Sequence, residues 1–418
     1  MKKLLLAVFS IATTFSLYAQ REVPQERMEQ IYEEVKTPYK YGLAVAPADN
    51  YHKIDCPTVF RQGDKWLMTY VVYNGKGGTD GRGYETWIAE SDNLLEWRTL
   101  GRVLSYRDGK WDCNQRGGFP ALPDMEWGGS YELQTYKGRH WMTYIGGEGT
   151  GYEAVKAPLY VGLAWTKGDI STAHEWESLD KPILSIHDKD AQWWEKLTQY
   201  KSTVYWDKDK TLGAPFVMYY NAGGRHPETD LKGERVGIAL SKDMKTWKRY
   251  SGNPVFAHEA DGTITGDAHI QKMGDVYVMF YFSAFEPSRK YKAFNTFAAS
   301  YDLVNWTDWK GADLIIPSKN YDELFAHKSY VVKHDGVVYH FYCAVNNAEQ
   351  RGIAIATSKP MGRSAVRFPV PESKNRRQIM TLNEGWKTWI TEATHLKGNF
   401  MMPAKTVNIP HNWDDYYG

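Results

Sequence analysis

Five charged residues stand at matched places in the chain: Asp55, Glu132, Lys201, Asp267 and Lys328. Each precedes a turn built on a glycine, at Gly63, Gly138, Gly213, Gly274 and Gly336 in that order. Brought to one place, such groups split each other's proton affinities. Burial and a neighbouring carboxylate raise a carboxyl pKa, and a nearby cation lowers it. One carboxyl held protonated and another held ionised is the arrangement general acid/base chemistry needs. Asp55, Glu132 and Asp267 are therefore the candidate catalytic groups. The plainer alternative is that the Asp and Lys residues pair and close the space between them.

Polar loops supply candidate binding residues. Trp111-Asp112-Cys113-Asn114-Gln115-Arg116-Gly117-Gly118 combines groups suited to sugar hydroxyls, with Arg116 able to make forked hydrogen bonds. Trp111, Asp112 and Arg116 are the candidates there; a structural loop capped by Asp112 is the alternative. Gly146-Gly147-Glu148-Gly149-Thr150-Gly151-Tyr152-Glu153 has the glycine count of a phosphate loop. It lacks the Lys-Ser/Thr and the helix that such a loop needs. Arg225 leaves a strand in Asn221-Ala222-Gly223-Gly224-Arg225-His226 and is placed at a pocket rim. His269, two residues after Asp267, and the pair His327-Lys328 complete the set.

The elements that must position these groups repeat. Each copy continues from its glycine turn to a strand ending in Tyr: Tyr70, Tyr144, Tyr220, Tyr281 and Tyr342. A second phrase recurs as Ser91-Asp92-Asn93-Leu94-Leu95-Glu96-Trp97, Ser241 to Trp247 and Ser300 to Trp306. It reads as a strand end, a Ser/Asp turn and a packing Trp. The turn glycines are 75, 75, 61 and 62 residues apart. Four strands and their turns fit that step, and such sheets repeated radially form a propeller. The expected fold is all-β: a five-bladed β-propeller over residues 41–371. Its first strands would aim the five charged residues at one central funnel. Residues 20–40 form a polar N-terminal extension in which Glu26 to Val35 predicts a short helix.

Composition narrows the function classes. The chain has 418 residues and a net charge of +1, from 51 basic and 50 acidic side chains. No field of one sign is available for nucleic acid or an anionic membrane. Met1-Lys2-Lys3, the apolar run Leu4 to Leu17 and Tyr18-Ala19 predict a signal peptide over residues 1–19. No later stretch is long and apolar enough to span a bilayer, so the expected location is the periplasm or outside the cell. Three scattered cysteines, Cys56, Cys113 and Cys343, make no disulfide framework and no zinc spacing. Aromatics are 15% of the chain, with 17 Trp and 29 Tyr. They read first as β-core, and where exposed as platforms for sugar rings.

The repeated glycine turns and Ser-Asp-Trp phrases resemble those of the five-bladed glycoside hydrolases, the clan of family 43 and its relatives. The resemblance covers roughly Tyr41 to Pro371. It implies an enzyme acting on glycans of arabinose, xylose or galactose, usually with inversion. Asp55-Cys56-Pro57 is similar to the family's first-blade base motif, and Glu132 falls in register with its second-blade Asp. The third-blade Glu that serves the family as general acid is missing. Gln199-Tyr200-Lys201 stands there, so the acid falls to Glu132, Asp267 or another blade. Lys201, Arg225, His226, His327 and Lys328 also resemble the phosphate grip of the family 130 phosphorylases, and would suit an acidic sugar as well. No cofactor is expected; the one metal the family admits is calcium, beside a central His. A glycan-binding propeller without catalysis is the remaining alternative.

The tail, residues 372–418, differs. Val407-Asn408-Ile409-Pro410-His411-Asn412-Trp413-Asp414 resembles the opening of the sugar-binding jelly roll of family 2 glycoside hydrolases. A jelly roll needs eight strands, so this reads as a partial β segment and implies a fused or neighbouring hydrolase module.

Overall fold

The computed structural model describes residues 22–74, 81–153, 155–370, 386–388 and 405–407. They belong to two units, Met1–Val370 and Pro371–Gly418. The leader expected at residues 1–19 and nearly all of the tail lie outside the described residues.

Helix α1 (Gln25–Val35) opens the first unit close to where its sequence predicts. Met28, Ile31 and Val35 recur at helical spacing and are buried. Tyr32 stacks on Trp309 at 5.1 Å between ring centroids, fixing the helix to the sheets. Pro38 follows, and the residue before a proline disfavours helical backbone, so the chain turns extended into β1 (Tyr39–Val45).

The rest is strand. β2 (His52–Gln62), β3 (Lys65–Asn74), β4 (Tyr84–Ser91) and β5 (Arg98–Leu104) form one antiparallel sheet. β6 (Gln115–Pro120), β7 (His140–Gly147), β8 (Tyr160–Thr166) and β9 (Glu177–Ser178) form the next. β10 (Thr198–Trp206), β11 (Phe216–Arg225), β12 (Lys232–Ser241) and β13 (Trp247–Arg249) follow. Then come β14 (Ile264–Met273), β15 (Val276–Ala284), β16 (Ala293–Ser300) and β17 (Thr307–Asp308). One parallel bridge between Glu234 and Ile264 joins these last two groups into an eight-stranded sheet. β18 (Phe325–His334), β19 (Val337–Val345) and β20 (Arg351–Thr357) take β1 as their fourth strand, tying the first described strand of this unit to its last. In the second unit, β21 (Trp386–Thr388) pairs with β22 (Lys405–Val407).

Each group leans on the one before it. β6 packs on β3 and β4, β10 on β7 and β8, β14 on β11 and β12, and β18 on β15 and β16; β2 packs on β19 and β20. The circle therefore closes, in a propeller-like, nearly all-β arrangement.

Both repeated signals have physical causes. Gly63, Gly274 and Gly336 sit at φ +57°, +66° and +70° in tight turns between paired strands, a region where glycine meets no Cβ penalty. In the second phrase, Ser241 Oγ accepts from the backbone N–H of Asp243 and Met244, and Asp243 Oδ1 accepts from Lys245 and Thr246. Met244 is left-handed at φ +69° and buried, and Trp247 Nε1 donates back to its carbonyl at 2.8 Å. Ser91, Asn93, Leu94 and Trp97 repeat this bond for bond.

Two features depart from the sequence reading, and both concern the first strands. Their pairing breaks by a bulge between Asp55 and Thr58, Gln199 and Ser202, Gly266 and His269, and His327 and Tyr330. A bulge inserts extra backbone and re-aims side chains. The second group's first strand is β6, which ends at Pro120; Glu132 lies in the connection that follows it.

Candidate active site

A cavity of about 170 Å³ opens where the bulged strand starts converge. Cys56, Asp267 and Lys328 occupy the first bulge position of their strands at φ +53°, +57° and +59°, and all three line it. Tyr200 and Lys201 line it from β10, and Arg351 from β20. A larger open groove of about 450 Å³ lies elsewhere, beside Lys40, Lys319 and Arg363. Among the described residues no carboxylate lines that groove.

Two glutamates face that cavity. Glu153 ends the glycine-rich run after β7. Buried Gln115 fixes this run by donating to the carbonyls of Gly149 and Gly151, both at 2.9 Å. The N–H of Gly151 also reaches the Gly81 carbonyl at 2.7 Å. Lys328 Nζ donates to Glu153 Oε1 at 2.9 Å, and Tyr84 donates to the same oxygen at 3.1 Å. Glu234 stands on β12 across from β11, where Asn221 Nδ2 donates to its Oε2 at 3.1 Å. The Tyr200 hydroxyl hydrogen-bonds Glu234 too. Burial, then the charge of Glu153, pushes the Glu234 carboxyl up to about 8.

Behind Glu153 lies a buried ion network. Lys328 also donates to Asp55 Oδ2 at 2.8 Å, and Arg351 reaches the same oxygen at 3.2 Å. Arg351 donates further to the Tyr152 hydroxyl at 3.0 Å and lies over its ring. Burial alone would raise Asp55, but Lys328, His327 and Arg351 override it and hold the carboxyl well below the usual carboxylate range. On the far side Lys201 Nζ stands 3.5 Å from Asp267 Oδ2. Burial raises the Asp267 carboxyl, against the pull of Lys201 and Lys328.

No protein-family model and no curated protein matches the chain. Solved structures do. One, a complex named for BT0996 and RGII, is 96% identical with a TM-score of 0.84, covering 84% of this chain and 100% of its own. A second, named "Glycoside hydrolase", matches with the same values. The chain belongs to the glycoside hydrolases. A thermostable family-43 glycoside hydrolase at 16% identity, TM-score 0.51, covering 78% of this chain and 98% of its own, shares the fold.

In this glycoside hydrolase several residues expected at the site are there. Asp267, Lys201, His327 and Lys328 line the cavity. Asp55 joins them only indirectly. It is fully buried behind Lys328, because the bulge that follows turns Cys56 to the cavity in its place. Glu132 is exposed and bridged to Arg61, six residues along β2 from Asp55 and so roughly 20 Å away at strand rise. That removes it from the catalytic candidates.

The polar loop before the second sheet is structural. Asp112 is fully buried and takes Arg107 at 2.8 Å and the Tyr144 hydroxyl at 2.8 Å. Arg116, also fully buried, donates to Glu175 at 2.6 Å and to Ser178 at 2.8 Å. Trp111 stacks on Tyr144 at 5.8 Å. Arg225 is exposed and paired with Asp230. His269 is buried and stacked on Tyr330 at 3.8 Å. None of these five lines the cavity.

Sequence reading missed Glu153, Glu234, Tyr200, Asn221 and Arg351. The glycine-rich run was the available signal for Glu153: several glycines ending in a carboxylate mark a loop folded tightly around one group. Glu234, in Lys232-Gly233-Glu234-Arg235, carries no such mark. For metals, Asp55, His327 and Cys343 hold ligand atoms within 4.8 Å of one another. Two cations already neutralise Asp55, and burial pushes the Cys343 thiol up. Calcium takes a shell of oxygens, which this mixed trio does not offer.

Asp55→Asn is expected to cost about 3–5 kcal/mol at neutral pH, since it leaves buried cations under-compensated. Asp55 is depressed in the fold, so its contribution is present above the unfolded carboxyl value of about 3.9 and lost as pH falls below it. The stability gap between wild type and variant, read by denaturant unfolding, should therefore narrow in acid. An equal gap at pH 7 and pH 2 would contradict the ion-network role.

Proposed function

We propose that the chain hydrolyses a glycosidic bond in its small central cavity, with Glu234 as general acid and Glu153 as the carboxylate acting at the anomeric carbon. The observation that carries this is the pairing of two cavity-facing glutamates in opposite environments. Glu234, raised to about 8, holds its proton at neutral pH and can deliver it to the departing oxygen. Glu153 has the Lys328 ammonium beside it, donating to its Oε1 at 2.9 Å. Tyr200 and Asn221 orient Glu234, and Lys328 and Tyr84 orient Glu153. A cavity of about 170 Å³ is small beside sites for drug-sized ligands and suits one sugar ring at the reacting position.

Phosphorolysis is disfavoured by the cations themselves. Lys328 and Arg351 are engaged by Asp55 and Glu153, and Lys201 faces Asp267. Among the described residues that line the cavity, each Lys or Arg that a phosphate would meet has a carboxylate beside it. The same balance argues against an acidic sugar at this position. The relative whose name includes RGII supports RGII as the substrate. We further infer five four-stranded blades, export directed by residues 1–19, and a hydrolase module adjoining residues 372–418, in line with the resemblances carried by those segments.

The test is turnover by the purified chain of 4-nitrophenyl arabinofuranosides, xylosides and galactosides, with and without phosphate. Cleavage without phosphate, lost in the Glu153→Gln/Glu234→Gln double variant, supports the reading. Strict phosphate dependence, or activity that survives both substitutions, overturns it. Proton NMR of the first-formed anomer then separates inversion, which the resemblance implies and which needs carboxyls about 6.5–9.5 Å apart, from retention at about 5–5.5 Å.

A further inference from the structure

We infer that Lys201 and Asp267 form a donor–acceptor pair that reads two adjacent hydroxyls of the sugar ring, and so set which sugar the cavity accepts. This rests on the hydrolase reading of the cavity above. Both residues line the cavity, and both are at least nine-tenths buried. Yet Lys201 Nζ and Asp267 Oδ2 have no hydrogen-bond partner among the described residues. They lie 3.5 Å apart, close enough for charge attraction but loosely placed for a hydrogen bond. Burying polar atoms without partners is costly. Elsewhere in the same cavity Lys328 holds two carboxylates, and Arg351 holds a carboxylate and a phenol through Nη1, with its Nε unpartnered among the described residues.

The pair is also built to stay in place. Asp267 sits in a left-handed bulge at φ +57°, and its N–H donates to Asn221 Oδ1 at 3.3 Å. Asn221 binds Glu234 with its other end. One side chain therefore fixes both the proposed acid and the hydroxyl-reading carboxylate. Lys201 lies over the Phe119 ring at 5.4 Å, a further cavity wall. One hydroxyl oxygen would accept from Lys201, and the neighbouring hydroxyl would donate to Asp267. Geometry of this kind separates sugars by the relative orientation of two hydroxyls rather than by charge.

The test uses whichever of the 4-nitrophenyl arabinofuranoside, xyloside or galactoside the wild-type chain cleaves, together with its monodeoxy analogues. In wild type, removal of either of two adjacent hydroxyls should raise KM about 10- to 100-fold, as expected for hydrogen bonds to charged groups. In Lys201→Met, Asp267→Asn and the combined variant, that discrimination should collapse for the hydroxyl whose partner is gone. Thermal unfolding of each variant reports whether it folds. If the variants lose thermal stability but keep full discrimination between the parent and deoxy glycosides, the pair is a strut between strands and the inference fails. The failure of the hydrolase reading looks different: no glycoside of the panel is cleaved, or cleavage survives loss of both Glu153 and Glu234.

Discussion

Glu234→Gln is expected to lower kcat/KM by about 10²–10⁴-fold on glycosides whose leaving group needs a proton. Gln keeps the shape and still accepts from Asn221, but it has no proton to give at the departing oxygen. The loss should shrink on an activated aryl glycoside, whose leaving group departs as an anion. The pH profile is a second readout. In wild type, kcat/KM should fall as pH rises through about 8, where Glu234 loses its proton; the variant should lack that limb. Stability moves as well. The folded carboxyl lies above its unfolded value of about 4.3, so the wild-type fold loses stability as pH climbs from about 4.3 to 8. Gln, which cannot ionise, is spared that loss, and the variant should gain on wild type across that window. An unchanged alkaline limb in the variant would remove Glu234 from the acid role.

The fold was legible because its signals are local. A two-residue turn needs a left-handed residue, and glycine at 63, 274 and 336 announces it. The Ser241-to-Trp247 phrase is a closed set of hydrogen bonds within seven residues, so its copies could be counted from letters alone. The site was less legible because it depends on offsets. One bulge after Asp55 exchanges the residue that faces the cavity for its neighbour, and no single letter marks that exchange. Glu132 kept the right distance to its glycine turn, but β6 had already ended at Pro120, so register counted backward from Gly138 fell in a connection. Asp112 and Arg116 carried the chemistry of ligand contacts and used it to hold their own sheet. Glu153 and Glu234 come from a loop and from a third-position strand. Only closure of the ring brings them near the first strands that the repeat singled out.

Glu153→Gln is expected to abolish turnover to at least about 10³-fold on every glycoside, activated or not. The reason lies in which oxygen is engaged. Lys328 and Tyr84 both donate to Oε1, and among the described residues no hydrogen bond falls on Oε2. Gln can keep both bonds by placing its own Oε1 there, with the amide nitrogen where Oε2 stood. The ion network of Asp55, Lys328 and Arg351 stays paired, so the variant should fold and bind the sugar nearly as wild type does. What disappears is the free lone pair and the negative charge that act at the anomeric carbon, directly or through water. That step is needed however good the leaving group is. The pair of variants therefore separates the two roles: the Glu234 defect depends on the leaving group and the Glu153 defect does not. A Glu153 variant partly restored by an activated leaving group would reverse the assignments, making Glu153 the proton donor.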